Sequence, residues 1–174
     1  YREIFFRDET FTSFKSRNME ICQAIIDEKI DCTWIANGRV DMLDRESAQM
    51  MKQAGCHMLK FGVETGDAQI LLNLKKGATV DQAKEAFRIC HDVGLETHAH
   101  MVFGGPGECK DTINNTLQFL KEIDPTTASF GILTPYPGTE YFKLVQDKMP
   151  EKIDGTIATM ETLHTTTYYS DQLC

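Results

Sequence analysis

The sequence predicts an α/β fold, a partial TIM-type (βα) barrel of about five parallel βα units. Apolar runs alternate five times with segments of helical spacing, which is how a parallel sheet with crossover helices reads. The run Met58-Leu-Lys-Phe-Gly-Val63 is mostly apolar along its length, as a strand covered by helices should be. Glycines and polar residues fall mainly after the strands, as on a barrel rim whose site lies beyond the strands' carboxyl ends. Five units do not close an eight-stranded barrel, so the expected shape is an open arc.

The first strand is expected at 3–8, ending at Asp8-Glu9. Met19, Ile21, Cys22, Ile25 and Ile26 then recur at helical spacing. A second strand at 31–37 ends at Asn37-Gly38-Arg39. Asp44 caps a helix that stops near Gly55. The third strand, 57–63, runs into Glu64-Thr-Gly66, and Asp67 caps a short helix to residue 74. Thr79 caps a helix with Ala83, Ala86, Phe87, Ile89 and Cys90 inward, closed by Gly94. The fourth strand, 95–103, breaks at Gly104-Gly-Pro-Gly107. A helix from about 110 to 122 carries Ile113, Leu117 and Leu120 inward. The fifth strand, 127–133, is followed by a Pro-Tyr-Pro-Gly turn and a last helix capped by Thr139. Residues 1–148 are thus expected to form the arc, and 149–174, threonine-rich and weakly patterned, an irregular C-terminal extension.

A net charge of −8 argues against a broad nucleic-acid-binding surface. No apolar run reaches the length of a membrane span. The six cysteines form neither CxxC nor CxxxCxxC, so they predict no zinc site and no disulfide framework. They read as free, mostly buried thiols of a cytoplasmic protein. Cys109, where a helix starts, is a weak candidate nucleophile by position.

Each strand end offers a candidate. Asp8 and Glu9 could meet a cation, an ammonium group or a hydroxyl, or simply be solvated. Arg39 beside Asn37 could clamp a carboxylate, or bridge to Asp41 or Asp44. Glu64 stands between glycines that let a ligand approach, or bonds into its own turn through Thr65 or Gly66. His98 and His100 share one face of the fourth strand, while Thr97, Ala99, Met101 and Phe103 take the other. Two histidines are too few for a metal site, so they read as pocket lining or polar core. Gly104, Gly105, Pro106 and Gly107 form a turn whose N–H groups could receive an anion or an adenine edge.

Taken together, Phe6-Arg-Asp-Glu-Thr-Phe11, Trp34-Ile-Ala-Asn-Gly-Arg39-Val-Asp41, Met51-Lys-Gln-Ala-Gly55-Cys56, Phe61-Gly-Val-Glu64-Thr-Gly66, Leu74-Lys-Lys76-Gly77, Gly104-Gly-Pro-Gly-Glu108 and Thr134-Pro-Tyr-Pro-Gly-Thr-Glu140 resemble, in this order, a radical S-adenosylmethionine domain. The subgroup they resemble is the cobalamin-binding type, often called Fe-S oxidoreductases. The resemblance implies a six-unit partial barrel, of which the five units here omit the one bearing the CxxxCxxC loop. It implies S-adenosylmethionine and a four-iron four-sulfur cluster as cofactors, the cluster ligands lying in an upstream segment of the same protein, and cobalamin in the full-length protein. Carried over by position, it implies cofactor binding by Asp8, Asn37, Glu64 and Lys76 and by the turn Gly104, Gly105, Pro106 and Gly107. His98, His100, Arg39 and Tyr136 are the candidates for a small-molecule substrate pocket, and no metal ligand is assigned.

The activity implied is radical-based modification of a substrate by a cofactor-derived radical, with this segment inactive alone. Two other readings suit the same residues: a (βα) barrel lyase or aldolase whose glycine turn holds phosphate, and a non-catalytic nucleotide- or partner-binding module.

Overall fold

Five strands form one parallel sheet in chain order: β1 (Glu3–Phe6), β2 (Thr33–Gly38), β3 (Cys56–Glu64), β4 (Glu96–Phe103) and β5 (Thr127–Ile132). The computed structural model describes residues 2–148, so the extension expected at 149–174 lies outside the described residues. The connecting helices are α1 (Lys15–Asp27), α2 (Arg45–Gln53), α3 (Ala68–Asn73), α4 (Val80–Val93) and α5 (Lys110–Ile123), with α6 (Glu140–Lys148) after β5. Packing of α1 on α2, α2 on α4 and α4 on α5 sets these helices side by side.

The strands' period-2 alternation decides which face is core. Trp34 and Ala36 from β2, Leu59, Phe61 and Val63 from β3, and Thr97, Ala99 and Met101 from β4 are buried beneath the helices. Phe6, Phe11 and Trp34 meet as an aromatic cluster with centroids 5.1–5.3 Å apart, and Phe61 packs on Phe87 of α4. The intervening residues, Asn37, Lys60, Gly62, Glu64, His98 and His100, are only partly covered and occupy the opposite face. Strand register aligns Asn37 with Lys60, His98 and Thr127, and Gly62 with His100 and Ser129.

The expected caps are present. Asp44 accepts from Ser47 N–H, Asp67 from Gln69 and Ile70 N–H, and Thr79 and Gln82 form a reciprocal capping box. Gly94 closes α4 at φ +73°. Two elements differ from expectation. β1 stops at Phe6 rather than reaching Asp8, because Phe11 and Thr12 are buried in the turn that follows and draw the chain off the sheet. The inner face of α5 is Thr116, Phe119 and Ile123, with Leu120 partly covered, whereas Leu117 is exposed. The buried hydroxyls of Thr65 and Thr116 bond at 2.7 Å, and Gly66 N–H also donates to Thr116. These contacts fix the rotation of α5 against the end of β3.

Gly66 makes that docking possible. A Cβ there would stand 2.3 Å from Phe119 Cβ and 2.6 Å from its Cγ. Gly66→Ala should therefore destabilise the fold by about 1–3 kcal/mol, the range for overpacking a core. Urea denaturation should show a lower midpoint with an unchanged slope; an unchanged midpoint would contradict this seating of α5.

Candidate functional site

The central strand ends irregularly. Pairing of β3 with β4 shifts register between Gly62 and Glu64, and Glu64 adopts φ +71°, in the left-handed region. For a residue with a Cβ this conformation costs about 1–3 kcal/mol and persists only where surrounding contacts impose it. Those contacts are visible. Thr65, next in the chain, is buried and bonded to Thr116, and its hydroxyl also accepts from Asp67 N–H at 3.2 Å. The Glu64 carboxylate does not bond into its own turn; it accepts from Lys76 Nζ at 2.6 Å. The pair is about one-quarter exposed, at 22% and 24% for the two side chains. A Cβ on Gly62 would lie 2.9 Å from Lys76 Nζ and 3.0 Å from Glu64 Oε1, so the pair sits directly over a glycine.

Lys76 opens onto a cavity of about 310 Å³ on the face of the sheet opposite the helices. Asn37, Gly38, Arg39 and His100 line it, as do Glu9, Thr10, Lys60 and Gly62. Polar groups from β2, β3, β4 and three loops therefore converge toward the strands' carboxyl ends. Arg39 faces the cavity with its guanidinium held by Asp41 through two bonds of 2.9 Å, which is the bridge rather than the free clamp. That fork raises the Arg39 pKa and lowers that of Asp41. Asn37 donates to the Asp8 backbone carbonyl at 3.2 Å, tying β1's exit to β2. Lys60 has no carboxylate partner among the described residues and lies 5.3 Å from the centroid of the Phe5 ring. Nothing singled out Lys60 or Thr10 in the sequence, although Lys60 shares period-2 parity with Glu64, whereas Gly62 is one of the two glycines noted beside Glu64.

The other candidates lie elsewhere. Asp8 turns its carboxylate to Arg17 at the surface, so its neighbours Glu9 and Thr10 line the cavity instead. Early termination of β1 is the cause. His98 lies beside the cavity, its ring centroid 4.4 Å from that of His100. Tyr136 is 37% exposed and is not on the cavity wall; its carbonyl accepts from Thr139. The turn Gly104, Gly105, Pro106 and Gly107 packs against α3 and α6, away from that wall. Asn73 donates to Pro106 O at 2.6 Å and Tyr141 Oη to Gly104 O at 2.7 Å. Gly104 N–H donates to Glu108, whose side chain is buried and whose pKa burial raises, against the lowering effect of that bond. A carboxylate thus takes the Gly104 N–H, one of the donors that the phosphate-binding reading would use.

Burial pushes the Cys22 thiol up to about 11 and that of Cys90 to about 12, and raises Cys56 as well. Among the described residues no three His, Cys, Asp or Glu side chains group to hold a metal ion. These residues accordingly do not fit a cluster site. The Glu64–Lys76 pair over Gly62 sets one carboxylate beside one ammonium, the charge pattern that suits a small zwitterion, with Lys76 on the cavity wall and Glu64 behind it.

Sequence and structure comparisons agree on kinship. Residues 1–120 match the model of the Radical SAM superfamily. An uncharacterized methyltransferase of Pyrococcus horikoshii is 36% identical over 142 residues, 82% of this chain and 31% of that protein. The anaerobic magnesium-protoporphyrin IX monomethyl ester cyclase of Rubrivivax gelatinosus is 28% identical, over 82% of this chain and 26% of its own length. The chain thus spans about a third or less of the curated relatives it matches. Among solved structures, the radical S-adenosylmethionine methyltransferase TsrM from Kitasatospora setae superposes with a TM-score of 0.73 at 19% identity, over 82% of this chain and 29% of that one. The cobalamin-dependent S-adenosylmethionine radical enzyme OxsB gives 0.75 at 17%, over 93% and 31%. With this fold and a family match over most of its length, the chain belongs to the Radical SAM superfamily.

Proposed function

We propose that the chain is the S-adenosylmethionine-binding part of a radical enzyme that modifies a small-molecule substrate, and that the Glu64–Lys76 pair holds the cofactor's amino-acid end. The observation carrying this reading is the ion pair itself, on the rim of a polar cavity, above a glycine that leaves room beside it. Lys76 exchanges Glu64 for the cofactor's carboxylate, and Glu64 exchanges Lys76 for its ammonium. Each charge keeps an opposite partner, so binding leaves no unpaired ion at a partly buried site. Lys76 acts here as a point-charge donor on a flexible stem. Asn37 and Thr10 offer neutral polar groups across the cavity for the ribose. When bound, S-adenosylmethionine supplies the radical-generating chemistry at an electron-donating cluster; this chain's residues orient it and shield the reaction.

The family uses a four-iron four-sulfur cluster, and no CxxxCxxC occurs among the six cysteines here. In this reading the ligands come from an upstream segment of the same polypeptide. The two solved relatives are described with cobalamin bound, and their likeness supports cobalamin as a second cofactor of the whole protein. Methyl transfer and ring closure are among the reactions named for the relatives, and they support a reaction of that kind for this one. Among the described residues no helix is long and apolar enough to cross a membrane, and the buried free thiols support a reducing, cytoplasmic setting.

The test is titration of S-adenosylmethionine into the cluster-bearing protein. Glu64→Gln and Lys76→Met should each weaken binding about ten- to a hundredfold, the equivalent of about 1.5–3 kcal/mol for a hydrogen bond to a charged group. Circular dichroism first establishes that both variants are folded. If both bind like the parent, the pair is structural.

Gly62→Ala separates binding from folding. Its methyl group would displace only the ends of two flexible side chains, so thermal stability should change little. Affinity for S-adenosylmethionine should fall nonetheless, because the methyl group occupies the space under the pair. A large loss of stability with affinity retained would contradict the assignment.

A further inference from the structure

Beside the cofactor pair, the open face carries a continuous chain of hydrogen bonds that the binding reading does not use. His100 Nδ1 lies 2.8 Å from Ser129 Oγ. The same oxygen lies 3.0 Å from His98 Nε2, and His98 Nδ1 lies 2.7 Å from Thr127 Oγ1. Strand register builds this chain, because His100 pairs with Ser129 and His98 with Thr127 across β4 and β5. One end is His100, on the cavity wall, whose Nε2 has no hydrogen-bond partner among the described residues. The other end is Thr127, which is exposed on the last strand of the described sheet.

The proton count makes the chain directional. A hydroxyl has one proton and a neutral imidazole has one N–H. If Ser129 donates to one histidine and accepts from the other, two arrangements exist. In the first, both rings carry the proton on Nδ1, and His100 Nε2 is a bare acceptor facing the cavity. In the second, both carry it on Nε2, and His100 is a donor facing the cavity. The arrangements interconvert without leaving a net charge in the sheet.

We propose that His100 exchanges a proton with the substrate at Nε2 and that Ser129, His98 and Thr127 relay that proton to solvent. The inference rests on the reading that this cavity holds substrate beside the cofactor, and it assigns a substrate whose reaction releases a proton from an acidic X–H group. The step balances. The substrate's X–H bond breaks and its proton joins His100 Nε2, while the electron pair stays on X. The Nδ1 proton of His100 passes to Ser129, the Ser129 proton to His98 Nε2, the Nδ1 proton of His98 to Thr127, and the Thr127 proton to water. His100 is the catalytic residue, and the other three position and carry the proton.

The surroundings favour the neutral form of both rings, which the relay requires. Burial lowers the pKa of each histidine first. His98 is lowered further by His100 and by Lys60 of β3. His100 is lowered further by Lys60, and Lys76 also lowers it, while Glu64 opposes them. Glu9 and Arg39 are the other charged groups on the cavity wall.

The test is nitrogen-15 NMR of the histidine side chains in the full chain at about pH 7.5, with His98→Asn and His100→Asn assigning the signals. No cofactor is added, so this test and the S-adenosylmethionine titration can fail independently. The expected result is two neutral rings that share one tautomer or exchange together between the two. Ser129→Ala should abolish that correlation, and Ser129→Thr, which keeps the hydroxyl, should retain it. Opposite tautomers, with both N–H groups donating to Ser129, would make the serine a static two-fold acceptor and overturn the relay. A charged ring at that pH, or a correlation surviving in Ser129→Ala, would overturn it equally.

Discussion

A carboxylate held in the left-handed region at the end of the central strand governs the arrangement of this molecule. Glu64 has strands on both sides of its own, so its strained backbone cannot relax without disturbing the sheet. Three features retain it: the register shift after Gly62, the buried bond between Thr65 and Thr116, and the bridge to Lys76. The first sets the strand end against β4, and the second anchors it to α5. The third crosses to the loop between α3 and α4 and fixes Lys76 at the cavity. Strain of this kind clusters where a ligand is bound, because a relaxed strand would carry the side chain elsewhere.

The division of the sheet into two faces follows from the same strands. Apolar residues at one parity supply the core with α2, α4 and α5, while the alternate positions of β2, β3 and β4 are free to be polar. Parallel pairing in chain order then aligns those positions into rows. One row brings Lys60 beside His98, and the next brings Gly62 beside His100 and Ser129. The placement of Lys60 and of the histidine chain on the open face is thus a consequence of register.

Local signals made the elements legible in the sequence, and the caps at Asp44, Asp67, Thr79 and Gly94 are examples. The parity of His98 and His100 was equally readable, because a strand fixes direction by period alone. Non-local information was not readable. The ending of β1 depends on where Phe11 finds a pocket beside Trp34, and one turn of chain decides that Asp8 meets Arg17 while Glu9 meets the cavity. The rotation of α5 depends on Gly66 and Thr65, which no periodicity within the helix records. Lys60 passed as part of an apolar run because a single charge in a buried strand gives no local sign of the face it takes. The glycine turn was legible as a turn, but not the inward approach of Glu108 to its backbone.

The account turns on whether the Glu64–Lys76 bridge is exchanged for the ends of a zwitterion. A crystal structure of the cluster-bearing protein with S-adenosylmethionine decides this most directly. The account predicts the cofactor's carboxylate against Lys76, its ammonium against Glu64, and the 2.6 Å contact between the two side chains broken. S-adenosylmethionine bound elsewhere with that contact intact would contradict it.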